Sequence, residues 1–227
     1  VPQSDPKHGK PKNYWHKRLT LVLAFIAFAP FLAPQFLLFP NSKRFGDTVV
    51  YSESEITPAF AKHLSRSDAL LRASAIYGDD YDYVIVLTNG GWRWTWLSIG
   101  ASGAFAFNRP LTTNIVLNRT DIDAGKVYNG SAVGGERTLA AIIAHERTHA
   151  LIRQHFGFVQ SALFPTWKVE GYADYISQES SLSAEDVAAL TASGKDHPAL
   201  IYYQGRQNVA DILARNGGKV GALFLGD

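Results

Sequence analysis

The run Leu19 to Phe39, LTLVLAFIAFAPFLAPQFLLF, contains no charged residue. About twenty consecutive apolar residues are what a helix needs to cross a hydrocarbon core, whereas a helix in water keeps a polar face. This run therefore predicts a single transmembrane anchor over 19–39 and divides the chain into a short leading tail and a longer domain. Pro30 and Pro34 would kink the anchor, which membrane helices tolerate. A cleaved signal peptide is one alternative, because Ala27-Phe28-Ala29 has the small-x-small form, but Pro30 would stand directly after the cut. A buried soluble helix is the other. Lys7, Lys10, Lys12, Lys17 and Arg18 precede the run, whereas only Lys43 and Arg44 follow it closely. The positive-inside bias then puts the N-terminus in the cytoplasm and the following domain outside it. Pro2, Pro6 and Pro11 disfavour regular structure, so residues 1–18 read as a flexible basic tail.

The rest of the 227-residue chain, from about Phe45 to Asp227, is long enough for one good-sized domain, and a hydrophobic content of 46% supplies a core. A formal charge of +2, with the basic residues concentrated near the start, argues against a nucleic-acid partner. With no cysteine, any transition metal must be held by His, Asp or Glu. Nothing in the sequence fixes an oligomeric state.

Asp47 to Ser52 reads as a strand, and Thr57 to Ile76 as a helix ended by Gly78-Asp79-Asp80. Tyr83 to Leu87 is a buried strand by its unbroken apolar content, followed by a turn at Thr88-Asn89-Gly90-Gly91. Trp92, Trp94 and Trp96 alternate with polar residues, which predicts a strand with three indoles on one face, packed in the core or offered as a sugar platform. Gly100 to Asn108 reads as a turn or loop, Thr112 to Asn118 as a strand, and Arg119 to Gly135 as a loop. Helices are expected from about Glu136 to Phe156 with Gly157 as cap, from Pro165 or Thr166, from Ser183 to about Ala192, and from about Asp196 or Pro198 to Gly217-Gly218. Ser183-x-x-Asp186 has the form of a capping box. Strands followed by helices point to an α+β fold: a small mixed sheet, then a helical subdomain.

Within the long expected helix lies His145-Glu146-Arg147-Thr148-His149, an HExxH sequence. At 3.6 residues per turn, His145 and His149 stack on one face and can bind one metal ion, while Glu146 points roughly 100° away toward a metal-bound water. Two histidines buried in a core helix are the alternative. Catalytic zinc takes three protein ligands and an open position. His155, six positions beyond His149, approaches the metzincin spacing HExxHxxGxxH. However, Ile152 stands where those enzymes need a glycine to turn the chain back, and the methionine of their turn is missing from a chain with none. His155 reads instead as a residue of the helix end.

Trp167-x-x-Glu170-Gly171-x-Ala173-x-Tyr175, roughly twenty residues downstream, resembles the glutamate helix of the gluzincins, the HExxH zinc peptidases that include thermolysin and the aminopeptidase N group. The resemblance covers His145 to Tyr175. It implies Zn²⁺ held by His145, His149 and Glu170, with Asp174 orienting a histidine ligand and Glu146 as general base. It also implies an oxyanion donor from a later segment, for which Tyr202, Tyr203 and Arg206 are candidates. The aminopeptidase group's GxMEN segment has no counterpart, since Gly103 to Asn108 lacks its glutamate, so recognition of an N-terminal amine is not implied. In this fold an edge strand ahead of the HExxH helix receives extended substrate, and Thr112 to Asn118 is the candidate. The expected function is a membrane-anchored zinc metallopeptidase acting on peptide or protein substrates. A metal-binding pseudoenzyme that recruits partners at the membrane, or a zinc hydrolase of a non-peptide cell-wall amide, is the alternative.

Overall fold

The computed structural model describes residues 13–78, 83–109, 112–194 and 197–226. The expected tail over residues 1–12, the helix end at Asp79-Asp80 and the helix start at Asp196 lie outside them. The described residues begin with α1, Asn13–Leu32, whose Trp15–Leu32 part is long and apolar enough to cross a membrane and is exposed along nearly all its length. The helix starts earlier than the apolar run and stops earlier too. Asn13 to Arg18, expected as flexible tail, join it. Ala33, ahead of Pro34, leaves the helical region as the residue before a proline tends to do. A one-turn 3-10 helix, Pro34–Leu37, leads into the domain.

A seven-stranded mixed sheet follows, in the order β1-β2-β3-β5-β6-β7, with β4 paired to β5. β1 (Asn41–Phe45) runs antiparallel to β2 (Thr48–Ser52), so the sheet begins ahead of Phe45. α2 (Ala59–Leu71) crosses over to β3 (Val84–Thr88), which is parallel to β2. After α3 (Trp92–Leu97) come β4 (Ala106–Asn108) and β5 (Asn114–Asp121), the latter parallel to β3. The central strands thus join through helical crossovers, an α/β feature within a fold that otherwise places its strands before its helices. β6 (Lys126–Tyr128) and β7 (Glu136–Thr138) complete the sheet by antiparallel steps.

Several sequence expectations are corrected here. The three tryptophans lie on α3 and not on a strand. Only Trp94 and Leu97, three positions apart, face the sheet; Trp92 and Trp96 are exposed. The alternation was too short to fix a period of two once Gly90-Gly91 allowed a helix to start. Residues 106–108 form β4 instead of a loop, and β6 and β7 occupy much of the stretch read as loop and helix start. β5 is not an edge strand. Its first half lies between β3 and β4, and its second half pairs with β6. β4 has an open edge ahead of α4, since it pairs only with β5 among the described residues.

The sheet is covered on both faces. Val50, Ile85, Leu87, Ile115 and Leu117 pack with Phe60 of α2 and with Leu139, Ile142 and Ile143 of α4, Leu139–Phe156. On the opposite face, Val86 and Val116 meet Trp94 and Leu97, with Leu37, Phe39 and Phe107 packed alongside. Further along, α4 contributes Ala144, Leu151 and Ile152 to a second core. That core includes Tyr172 and Ile176 of α6 (Thr166–Ser177), Val209 and Leu213 of α8 (Leu200–Asn216) and Leu223 and Phe224 of α9 (Val220–Leu225). A helix clamped between two cores is apolar almost all round, which accounts for the unbroken burial of Leu139 to Thr148. Between these helices are α5 (Phe158–Ala162) and α7 (Ala184–Ala192), the latter opened by a complete capping box between Ser183 and Asp186.

Candidate metal centre

α4 carries His145 and His149 one turn apart, and α6 brings Glu170 across to them. The close approach of α6 to α8 is made possible by two glycines, since a Cβ on Gly171 would lie 2.5 Å from the Gly205 carbonyl group. The Nε2 atoms of His145 and His149 are 3.2 Å apart. Glu170 Oε2 lies 3.2 Å from the first and 3.6 Å from the second. A tetrahedral zinc ion with ligand bonds of ~2.0–2.1 Å has its ligand atoms roughly 3.3–3.4 Å apart, so the three observed edges fit such an ion. The chemistry of the donor set points the same way. Asp174 Oδ1 accepts from His145 Nδ1 at 2.8 Å, which in the neutral imidazole leaves Nε2 as the lone-pair atom facing His149 and Glu170. Three electron-pair donors then converge, an arrangement that a cation satisfies.

Asp174 is itself held from three sides. Arg137 Nη1 lies 3.0 Å from Oδ1, and Ser180 donates its hydroxyl to Oδ2 at 2.7 Å. Arg137 also donates to the Glu179 carbonyl at 2.9 Å and to Ser177 Oγ at 3.3 Å. The Glu179 carboxylate in turn accepts from the Thr138 amide and hydroxyl at the start of α4. A polar chain therefore ties the first turn of α4 to the last turn of α6, and fixes one histidine ligand through both.

Charge follows from these contacts. Burial opposes the charge on Asp174, yet Arg137, His145 and Ser180 hold its pKa down at about 2. Burial likewise works against charging His145, but its bonds to Asp174 and Glu170 raise it to about 10. His149 falls to about 4, chiefly through burial. Glu170 is depressed to about 2 despite burial, by the two histidines. Burial raises Glu146 to about 7 against the lowering charge of His145, with the Glu170 charge adding to the rise.

All five of these groups line one open cavity of about 650 Å³. Its far wall is β4, from which Asn108 donates to the Glu146 backbone carbonyl at 2.6 Å. Arg153, one turn beyond His149, also lines it; burial lowers its pKa and the Glu146 charge works the other way. Of the later candidates, Tyr202 reaches the cavity, and its hydroxyl is raised in pKa by burial and by Glu170 and Asp174. Tyr203, one position round α8, and Arg206 are not among the lining residues. His155 is exposed at the end of α4, with its ring against Phe156, and Ile152 is buried where it keeps the helix running. The tryptophans of α3 do not line the cavity.

Arg137, Ser180 and Asn108 were not found from the sequence. Each acts through a partner brought in by the tertiary fold, and none has a fixed spacing from the HExxH motif. The capping box at Ser183 placed a helix start close to Ser180, but gave no reason to connect that serine with Asp174. In comparison with known proteins, no family model, no curated protein and no solved structure matches the chain.

Proposed function

We propose that the chain is a zinc-dependent hydrolase of peptide bonds, of gluzincin type, held at a membrane by α1 with its N-terminus in the cytoplasm and its domain outside. The observation that carries this reading is the convergence of His145, His149 and Glu170 beside Glu146, a buried acid with no ligand role, on one open cavity. A purely structural metal site has no use for that acid.

A zinc ion held there supplies Lewis acidity, lowering the pKa of a coordinated water and polarising a carbonyl oxygen. Asp174, fixed by Arg137 and Ser180, keeps the His145 imidazole in the tautomer and orientation that binding requires. Glu146 accepts the proton released as the water oxygen bonds to the carbonyl carbon, and returns it to the amide nitrogen as the carbon–nitrogen bond breaks. Burial of the Glu146 carboxyl favours its uptake of a proton and so suits it to both transfers. Tyr202, on the cavity lining, is the candidate to donate its hydroxyl to the developing oxyanion. The open edge of β4 along the same cavity offers backbone groups to an extended chain, so the strand that would receive substrate is Ala106–Asn108 and not Thr112 to Asn118.

The test uses the full chain in detergent or vesicles, loaded with zinc and presented with a peptide library. Cleavage by the wild type and a loss of about 10²-fold or more in Glu146→Gln, with zinc retained, is the expected result. Equal cleavage by the variant overturns the role of Glu146. No cleavage of any peptide by the zinc-loaded wild type favours the pseudoenzyme or a non-peptide amide substrate.

A further inference from the structure

The lower end of α1 does not lead into a loose linker. Asn114 donates its side-chain amide to the Leu32 carbonyl at 2.7 Å, closing the last turn of the helix onto β5. Arg109 stacks over the Phe31 ring at 4.9 Å and over Phe107 at 4.5 Å. Arg93 donates to the carbonyls of Leu37 and Leu38 and pairs with Glu53 at 2.8 Å. Its guanidinium also lies over the rings of Phe39 and Trp92. The end of the apolar helix is thus fixed in position and direction against β5 and α3.

Around this junction the surface is apolar. Trp92 and Trp96 follow at i and i+4 on one side of α3, and Ile99 stands in the turn that follows it; the three are 61%, 40% and 67% exposed. Phe36 and Leu38, beside them in the turn that Arg93 holds, are 62% and 81% exposed. Trp96 meets Phe31, on the last turn of α1, at 6.3 Å between ring centres. Where α1 leaves a hydrocarbon core, these side chains therefore stand at the level of its last turn. That is the depth at which tryptophan is enriched in membrane proteins, with the ring among acyl chains and the indole N–H toward the headgroups.

We infer that the patch of Trp92, Trp96 and Ile99, with Phe36 and Leu38, is a bilayer-docking surface that sinks into the headgroup–acyl boundary beside the end of α1. The occupant is lipid because the patch is continuous with the exposed apolar surface of α1 and touches it through Phe31. The inference rests on α1 being a membrane helix. Its consequence is positional: Phe107, the wall residue stacked on Arg109, also lines the metal-site cavity. Phe31, Arg109 and Phe107 thus link the end of the anchor to β4, and the cavity lies close to the membrane surface.

The absence of cysteine makes single-cysteine spin labelling of the full chain direct. Phe25→Cys reports α1, Trp92→Cys and Ile99→Cys report the patch, and Glu185→Cys on α7 reports an aqueous surface. In vesicles of phosphatidylcholine and phosphatidylglycerol, collision with oxygen is compared with collision by a water-soluble nickel chelate. The expected oxygen-to-nickel ratio is highest at Phe25, intermediate at Trp92 and Ile99, and several-fold lower at Glu185. A high ratio at Phe25 with water-like ratios at Trp92 and Ile99 overturns the docking surface while leaving the anchor standing. Label–label broadening at Trp92 or Ile99 overturns it in favour of contact between two copies. A water-like ratio at Phe25 removes the anchor and the docking surface together.

Discussion

Gly171→Ala probes how closely the glutamate helix must sit. The added methyl would lie 2.5 Å from the carbonyl carbon and oxygen of Gly205 and 3.0 Å from the Arg206 amide nitrogen, where ordinary contact begins at 3.4 Å. The obstructing atoms are backbone, so no side chain can rotate away, and α6 and α8 must part by about 1 Å, a gap that forfeits up to half of the dispersion energy across the contact. Alanine favours a helix over glycine by about 1 kcal/mol, while overpacking of this kind costs about 1–3 kcal/mol. The net effect is a loss of up to about 2 kcal/mol, or roughly 4–8 °C in Tm for a domain of this size. Gly221→Ala in α9 is the control, since a Cβ there meets nothing within 4 Å. Thermal unfolding of the two variants followed by circular dichroism decides the matter. A Gly171→Ala protein stabilised as much as Gly221→Ala, or a Gly221→Ala protein that loses as much as Gly171→Ala, refutes contact of the helices at Gly171. Because Glu170 is the adjacent residue, the same variant is expected to bind zinc more weakly than Gly221→Ala.

Two further outcomes follow from the centre's polar chain. Asp174→Asn is expected to weaken zinc binding by about 10–100-fold, measured by competition with a chromophoric chelator, and to lower stability because the buried Arg137 loses its carboxylate partner at 3.0 Å and keeps only Glu179 at 3.9 Å. Unchanged affinity would mean that Asp174 does not orient His145. Zinc affinity of the wild type should rise with pH across the neutral range. The bonds to Asp174 and Glu170 outweigh burial and hold the His145 pKa at about 10, so the ion displaces a proton at any pH below that value. Displacement of one proton corresponds to roughly tenfold per pH unit. An affinity that levels off above pH 6.5, the ordinary histidine value, would contradict it.

The parts of the centre that could be read from the chain are those set by helix period. His145 and His149 at i and i+4 need only a helix, and the apolar flanks from Leu139 onward guaranteed one. Glu170 and Asp174 came instead from the resemblance of the Trp167 to Tyr175 segment to the gluzincin glutamate helix. What escaped was built by pairing across the sheet. β4 is only three residues long and β7 likewise, too short for alternation to register, and both exist because a neighbouring strand accepts their backbone bonds. The Trp92 to Trp96 stretch shows the converse. A true period-two pattern gave a helix, because only Trp94 and Leu97 found apolar partners on the sheet and the two exposed indoles were left facing outward. Arg137 could be read only as a polar residue ahead of a helix, since its meaning depends on Asp174 and Glu179 arriving from α6 and the turn after it.

The central claim is that three side chains from two helices hold one zinc ion. It is tested most directly by the metal content of the purified full chain, measured by mass spectrometry for the wild type, His145→Ala, Glu170→Ala and His155→Ala after equilibration with zinc and removal of the excess. One zinc per chain in the wild type and in His155→Ala, with loss in His145→Ala and Glu170→Ala, is the predicted result. Zinc lost in His155→Ala and kept in Glu170→Ala, or no bound zinc in the wild type, would contradict it.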